Sequence, residues 1–340
     1  MANVATKNTA QADGDLKKSV LNPANIQKFL AFGALIVLLI FFTIASPFFL
    51  TFDNIVSIML STCVNGILAL GIIFVIITGG IDLSIGTVMT FSSVMAGVTI
   101  TNMGMPLWLG IIIAVCTGAF CGFISGTIVS RLKLQPFIAT LGVMMITKGF
   151  SLVLSGTKPI YFSDTPAFRQ ITVGSIIKFG AEGKYSIPNG IFIFLFMALI
   201  AAVILNKTKL GRYNFAIGSN EEATRLSGVN VVKWKTAIYS LCGAFAGVAG
   251  IVMAARLDSA QPALGQGYEL DAIASVVIGG TSMVGGEGTI LGTVIGAFII
   301  STLTNGLKVM GVAQEWQIVI TGLVLVLAVL LDTIRKRGNK

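Results

Sequence analysis

The sequence predicts an all-α polytopic membrane protein of about ten transmembrane helices (8–10), and three observations predict it. Only 11% of the 340 residues are charged, against about 25% in a soluble globular chain. Mean hydropathy is +0.91 over the whole length, which leaves too little polar surface to cover a water-soluble fold. Apolar runs of bilayer-crossing length, about 20 residues for a helix, recur from one end of the chain to the other. The 39 glycines follow no three-residue period, so collagen is excluded, and the apolar content excludes disorder of the whole. No run alternates with period two over roughly ten residues, which argues against a β-barrel.

The elements follow in order. Residues 1–28 are polar and read as a disordered cytoplasmic tail. Phe29 to Leu50 is longer than a signal-peptide core of about 7–15 residues and reads as a retained first span. The candidate runs are 29–49, 54–78, 85–101, 107–129, 136–154, 189–205, 236–255, 269–284, 288–305 and 316–331. Gly79-Gly80 and Gly285-Gly286 each join two of these runs. Those pairs read either as full crossings or as re-entrant, broken helices. Either choice leaves an even count, so both termini share a side. The membrane domain spans 29–334, with an outer loop 155–188 and an inner loop 206–235, and 335–340 form a cytoplasmic tail.

Lys and Arg choose the side. With both termini cytoplasmic, the inside holds Arg131, Lys133, Lys207, Lys209, Arg212, Arg225, Lys233, Lys235 and the basic residues of both tails. The outside holds Lys158, Arg169, Lys178, Lys184, Arg256 and Lys308. The net charge of +9 is therefore an orientation signal, and no nucleic-acid partner is implied. Cys63, Cys116, Cys121 and Cys242 all lie in apolar runs without a CxxC pair, so neither a disulfide framework nor a zinc site is expected. The chain has no histidine, which removes histidine-based metal sites, general bases and proton relays.

Small residues four apart let helices approach closely in lipid. Gly118, Gly122 and Gly126 form one such series, Gly288, Gly292 and Gly296 a second, and Gly243 with Gly247 a shorter third. They read as packing within the chain, or alternatively as a subunit contact. A faint echo accompanies them. Gly79-Gly80 precedes Gly86-Thr87-Val88 at the same distance as Gly285-Gly286 precedes Gly292-Thr293-Val294, which chance explains as readily as an internal repeat.

Ion-coupled carriers mark their paths with intramembrane ionisable residues. Here Lys148 is the one charge well inside a run, and Asp82, Glu269 and Asp271 sit at run ends. The chain also lacks a GxxxxGK[ST] phosphate loop. Uphill transport would then draw its energy from another subunit, and no cofactor is implied.

The segment 206–235 is the most informative. Ser219 or Asn220 is a good N-cap, Glu221 and Glu222 fall in a first turn where the helix dipole favours acids, and Gly228 is a natural stop. A two-turn helix over 221–227 is predicted, with Ala223 and Leu226 forming one small apolar face. It is either a docking element for another protein or a loop helix lying on the membrane surface.

Glu222-Ala223 with Gly228 resembles the EAA-type coupling motif of ABC importer permeases. Gly80-Ile81-Asp82-Leu83-Ser84-Ile85-Gly86 resembles the GIDLS motif of the ribose/galactose/xylose permease family. The stretches Ala255–Pro262, Gly267–Ala274 and Gly279–Ser282 are similar to ribose-type permeases in particular, as are Gly211-Arg212-Tyr213 and Ala223–Gly228. The likeness covers roughly 50–332. It implies the ABC importer permease fold in a bacterial inner membrane, a separate cytoplasmic ABC ATPase, a periplasmic sugar-binding protein and a second permease copy. It also implies that Glu221, Glu222, Ala223, Arg225, Leu226 and Gly228 meet the ATPase. No covalent chemistry is expected of the chain. Ribose leads as cargo, with xylose, galactose, allose or a nucleoside as alternatives and an ion-coupled carrier as the reading from another class.

No local motif carries the translocation pathway. The candidates are mildly polar residues flanking the glycine breaks: Asn65, Asp82, Ser84, Thr281 and Ser282. Arg256 and Asp258 are candidates for docking the binding protein. Each also has a plain structural reading, as a satisfied helix end or a solvated loop charge.

Overall fold

The computed structural model describes residues 23–179 and 185–338. The expected tail over 1–22, residues 180–184 of the outer loop and residues 339–340 lie outside the described residues. Among those described, thirteen α-helices and four short strands form one helical membrane bundle. The helices are α1 Pro23–Ala45, α2 Phe52–Ile77, α3 Ile85–Gly97, α4 Leu107–Ser130, α5 Pro136–Ser155, α6 Pro166–Gln170 and α7 Asn189–Lys207. After them come α8 Lys209–Ser219, α9 Glu221–Leu226, α10 Val231–Leu257, α11 Tyr268–Ile278, α12 Ile290–Val309 and α13 Gln314–Gly338. Six of these (α2, α4, α5, α7, α10 and α12) are long and apolar enough to cross a membrane. The stretches Leu30–Ala45 of α1 and Gln314–Leu327 of α13 are shorter apolar helices. Residues 23–28, expected in the tail, already belong to α1, which starts on a proline that suits a first helical turn.

Two of the apolar runs are not plain α-helices. The run 85–101 is α3 followed by a π-helical turn, Val98–Asn102. The run 269–284 is helical only as far as Ile278, so α11 has 11 residues and rises about 16 Å, half of a hydrocarbon core about 30 Å thick. Glycine stops it: Gly280, Gly285 and Gly286 all take positive φ, which a β-carbon disfavours. An irregular segment, 279–289, follows it, buried at Gly279, Thr281 and Ser282 and exposed at Val284 and Glu287.

The centre of the bundle is α2, whose half from Thr62 to Ile77 is buried on every side. A helix apolar all round is expected there. Helix α10 packs on it, and α4 lies antiparallel against α10. Their contact is the two glycine series. A β-carbon on Gly118 would fall on the Gly243 carbonyl, and one on Gly122 would fall on the Tyr239 carbonyl. Gly296 meets the Ser275 carbonyl and Gly292 meets Gly279 in the same way, which seats α12 on α11. The glycine series are therefore packing within the chain. Helices α4, α5 and α7 turn most of their apolar surface outward, as lipid-facing helices do.

The two ends of the bundle differ. At one end, called the coupling end after the role expected of the 206–235 loop, α2 finishes beside α8. At the opposite end, the far end, Phe52 at the start of α2 meets the rings of Phe179 and Tyr185. There β1 (Ile160–Tyr161) pairs antiparallel with β4 (Ser259–Ala260), and β2 (Ser175–Phe179) pairs antiparallel with β3 (Tyr185–Pro188).

Candidate functional site: a coupling segment, two helix breaks and a polar cleft

The coupling segment is built from local rules. Thr208 caps α8 by accepting from the Gly211 N–H, and the Asn220 side chain caps α9 by accepting from the Ala223 N–H at 2.9 Å. Thr224 is buried beneath α9 and donates to the Asn220 carbonyl at 2.7 Å. Glu221, Glu222, Ala223, Arg225, Leu226 and Gly228 all face outward, with Leu226 80% exposed. Gly228 takes φ +84° beyond the helix. An ion pair from Lys235 to Glu221, 2.6 Å long, ties α9 to the first turns of α10. Helix α8 is an addition of the structure: Thr208, directly before Lys209, is its cap signal, which the sequence reading passed over.

Immediately before α9, Gly218 meets both glycine breaks. The Gly286 N–H donates to the Ile77 carbonyl at 2.9 Å. A β-carbon on Gly218 would fall on that same carbonyl and 2.6 Å from the Gly286 nitrogen. One on Gly285 would lie 2.9 Å from the Gly79 nitrogen and 3.0 Å from the Gly218 carbonyl. Three backbones far apart in sequence thus touch with no side chain between them.

The breaks themselves are closed turns. Asp82, 2% exposed, accepts from the Ser84 N–H at 2.8 Å and the Ser84 hydroxyl at 2.6 Å. This turn leads straight into α3. In the second break the Val284 N–H donates to the Ser282 hydroxyl at 3.1 Å, and the buried Thr281 hydroxyl has no partner among the described residues. Asp82 with Ser84, and Thr281 with Ser282, therefore line two adjoining turns at the coupling end.

Asn65 lies apart from them, half-way along α2, and Arg256 lies with it rather than with Asp258. A cleft of about 200 Å3 opens between α2, α10, α11 and α12 in the far-end half of the bundle, lined by Asn65, Arg256, Asp271 and hydroxyl-bearing residues of α2 and α12. Arg256 donates to the Ser61 hydroxyl at 3.1 Å, and Asn65 donates to the Ser275 hydroxyl at 3.2 Å. Asp258 stops α10 in the left-handed conformation, at φ +54°. The structure adds Ser57, Ser61, Ser301, Thr304, Asn305 and Lys308 as cleft residues. Their signal was a polar stripe at four-residue spacing, Ser57-Ser61-Asn65, inside an apolar helix.

Comparison with known proteins follows the same outline. A family model described as the permease component of a branched-chain amino acid transport system matches residues 54–329. The chain belongs to this permease family. The ribose import permease protein RbsC of Escherichia coli (strain K12) is 42% identical over 299 residues, 88% of this chain and 91% of that protein. The ribose import permease protein of Bacillus subtilis (strain 168) is 42% identical over 307 residues, 90% and 93% of the two chains. The galactose/methyl galactoside import permease protein of Escherichia coli (strain K12) is 36% identical over 340 residues, 95% and 100%. No solved structure matches the chain significantly. The chain is a ribose-type ABC importer permease, a multi-pass subunit of the bacterial inner membrane.

Proposed function

We propose that this permease forms the membrane pathway of an ATP-driven monosaccharide importer, with ribose as its cargo. The observation that carries the reading is the 42% identity to a ribose import permease across 88% of the chain. The same identity in Bacillus subtilis supports it. A separate ABC ATPase seats α9 through Glu222, Ala223, Arg225 and Leu226, and hydrolysis takes place there. A periplasmic sugar-binding protein delivers cargo at the far end, and two permease copies enclose the route. Both termini then lie in the cytoplasm with the coupling end, as the positive-inside bias supports.

The mechanism follows from the junction at Gly218. Closure of the ATPase moves α9, and α8 carries that motion to the two breaks, whose backbones it touches. Short half-helices with glycine turns are the elements that can change direction. The chain moves solute without making or breaking a bond in it.

The test is reconstitution of the permease in proteoliposomes with its ATPase and binding protein. ATP-dependent accumulation of ribose is expected, in preference to xylose and galactose. Accumulation by the permease alone under an ion gradient would replace this reading with a secondary carrier.

A further inference from the structure

We propose that the far-end cleft is a monosaccharide site of the permease itself, in which sugar hydroxyls bridge Asp271 on one wall and Arg256 on another, with Asn65 at the inner end. The inference rests on the sugar-import reading above and adds where in the chain the sugar is held.

The cleft's polarity is expensive where it lies. Ionisable and amide groups within a helical membrane bundle are rare and tend to face a partner or a water-filled path. Asn65 is 5% exposed. Its amide nitrogen is used on Ser275, while its carbonyl oxygen has no partner among the described residues. The Asn305 carbonyl oxygen is in the same position. An unmet buried acceptor is costly, so these atoms call for a donor from outside the chain.

The charges narrow the ligand. Arg256 and Asp271 line the same cleft, yet the ion pairs among the described residues do not include one between them. A guanidinium offers only donors and a carboxylate only acceptors. A group set between them must accept from one and donate to the other. A hydroxyl does both, and neighbouring hydroxyls on one ring do so at two points. An inorganic anion satisfies Arg256 and Lys308 but repels Asp271, and a cation does the reverse. A neutral polyol meets all of them, together with the free amide oxygens. The cleft, about 200 Å3, lies below the roughly 300–1,000 Å3 of drug-sized pockets, which suits one monosaccharide.

The experiment uses the full permease in lipid nanodiscs with Ser61→Cys, whose thiol would stand beside Arg256. Labelling of position 61 by a small maleimide is followed by mass spectrometry, with ribose or inorganic phosphate as the probe. Ribose at 100 mM is expected to slow labelling at least threefold, and phosphate to leave it unchanged. Adding Asp271→Asn or Asn65→Ala is expected to abolish the protection. Protection by phosphate and not by ribose overturns the proposal, as does equal labelling with and without ribose. If the double variants fail to fold, the single variant still decides the matter. Ribose uptake by the wild-type reconstituted importer is measured separately: protection without uptake defeats the import reading and keeps the site, and uptake without protection defeats the site alone.

Discussion

The Gly286 N–H donates to the carbonyl of Ile77 across 2.9 Å, joining two turns that lie 209 positions apart in sequence. Gly218 of helix α8 presses on the same carbonyl. One hydrogen bond is thus shared ground for the end of the central helix, the break after α11 and the element next to the proposed ATPase contact.

Gly218→Ala should separate assembly from transport. The added β-carbon meets backbone on two sides, which cannot move aside as a flexible side chain would. ATP-driven sugar uptake in proteoliposomes is expected to fall at least tenfold, while co-purification with the ATPase persists because α9 is untouched. Gly228→Ala is the contrast. Space around Gly228 is open, and its cost is the positive φ alone, about 1 kcal/mol. Uptake near wild type in Gly218→Ala would show that the junction transmits nothing.

Glu222→Lys should uncouple the importer without unfolding it. The Glu222 side chain is exposed, and its ion pair with Arg225 at 3.6 Å is a surface pair worth about 0–1 kcal/mol. The expected result is an unchanged melting temperature, with sugar uptake reduced at least tenfold. Asn220→Ala attacks the same helix by another route. It removes the cap on the Ala223 N–H, at about 1 kcal/mol, and is expected to weaken ATPase binding in a pull-down by a smaller factor than the charge reversal.

Gly122→Leu should prevent accumulation of folded protein. Its side chain would have to enter the contact between α4 and α10, where the Tyr239 backbone already sits. The measurement is fluorescence-detected size exclusion of the tagged permease, with the monodisperse peak expected to vanish. Gly149→Ala on α5 is the counterpart, since nothing lies within reach of its β-carbon. A glycine in an open helix interior costs about 1 kcal/mol against alanine, so this variant should melt slightly higher.

Asp82→Ala and Asp82→Asn should differ. The carboxylate holds the Ser84 N–H and hydroxyl in one turn. Asparagine keeps an acceptor there and alanine keeps none, leaving a buried N–H unmet at about 1–3 kcal/mol. Alanine is expected to lower the melting temperature and abolish uptake, and asparagine to retain a measurable share of both.

Much of this fold was legible because it is written locally. The apolar runs announced their helices, and Asn220 with Gly228 bracketed α9, which ends at Leu226, one residue before the predicted bound. The glycine series marked close helix packing, but that α4 and α10 pack on each other came from the structure. The half-helix α11 was harder: its run is apolar through 284, and hydropathy does not see that Gly279 and Gly280 end the helix. The pairing of Ile77 with Gly286 depends on tertiary approach alone, so the echo between the two Gly-Gly sites gave no hint that they touch. The cleft draws its residues from four helices, and Arg256 reads as a loop charge by hydropathy although α10 reaches Leu257.

The strand pair Ile160–Ala260 is small, yet it fastens the long loop after α5 to the segment leaving α10. The Phe162 N–H adds a bond to the Asp258 carbonyl at 3.2 Å, and Thr172 donates to the Val252 carbonyl at 3.0 Å. At its opposite end α10 holds α9 through Lys235. The helix contains no proline in its 27 residues and acts as a pushrod about 40 Å long. Under the proposed reading, a binding protein on that loop would tug on the same rod that the ATPase would grip at the other end, so that arrival of cargo would be felt across the membrane before any sugar had moved.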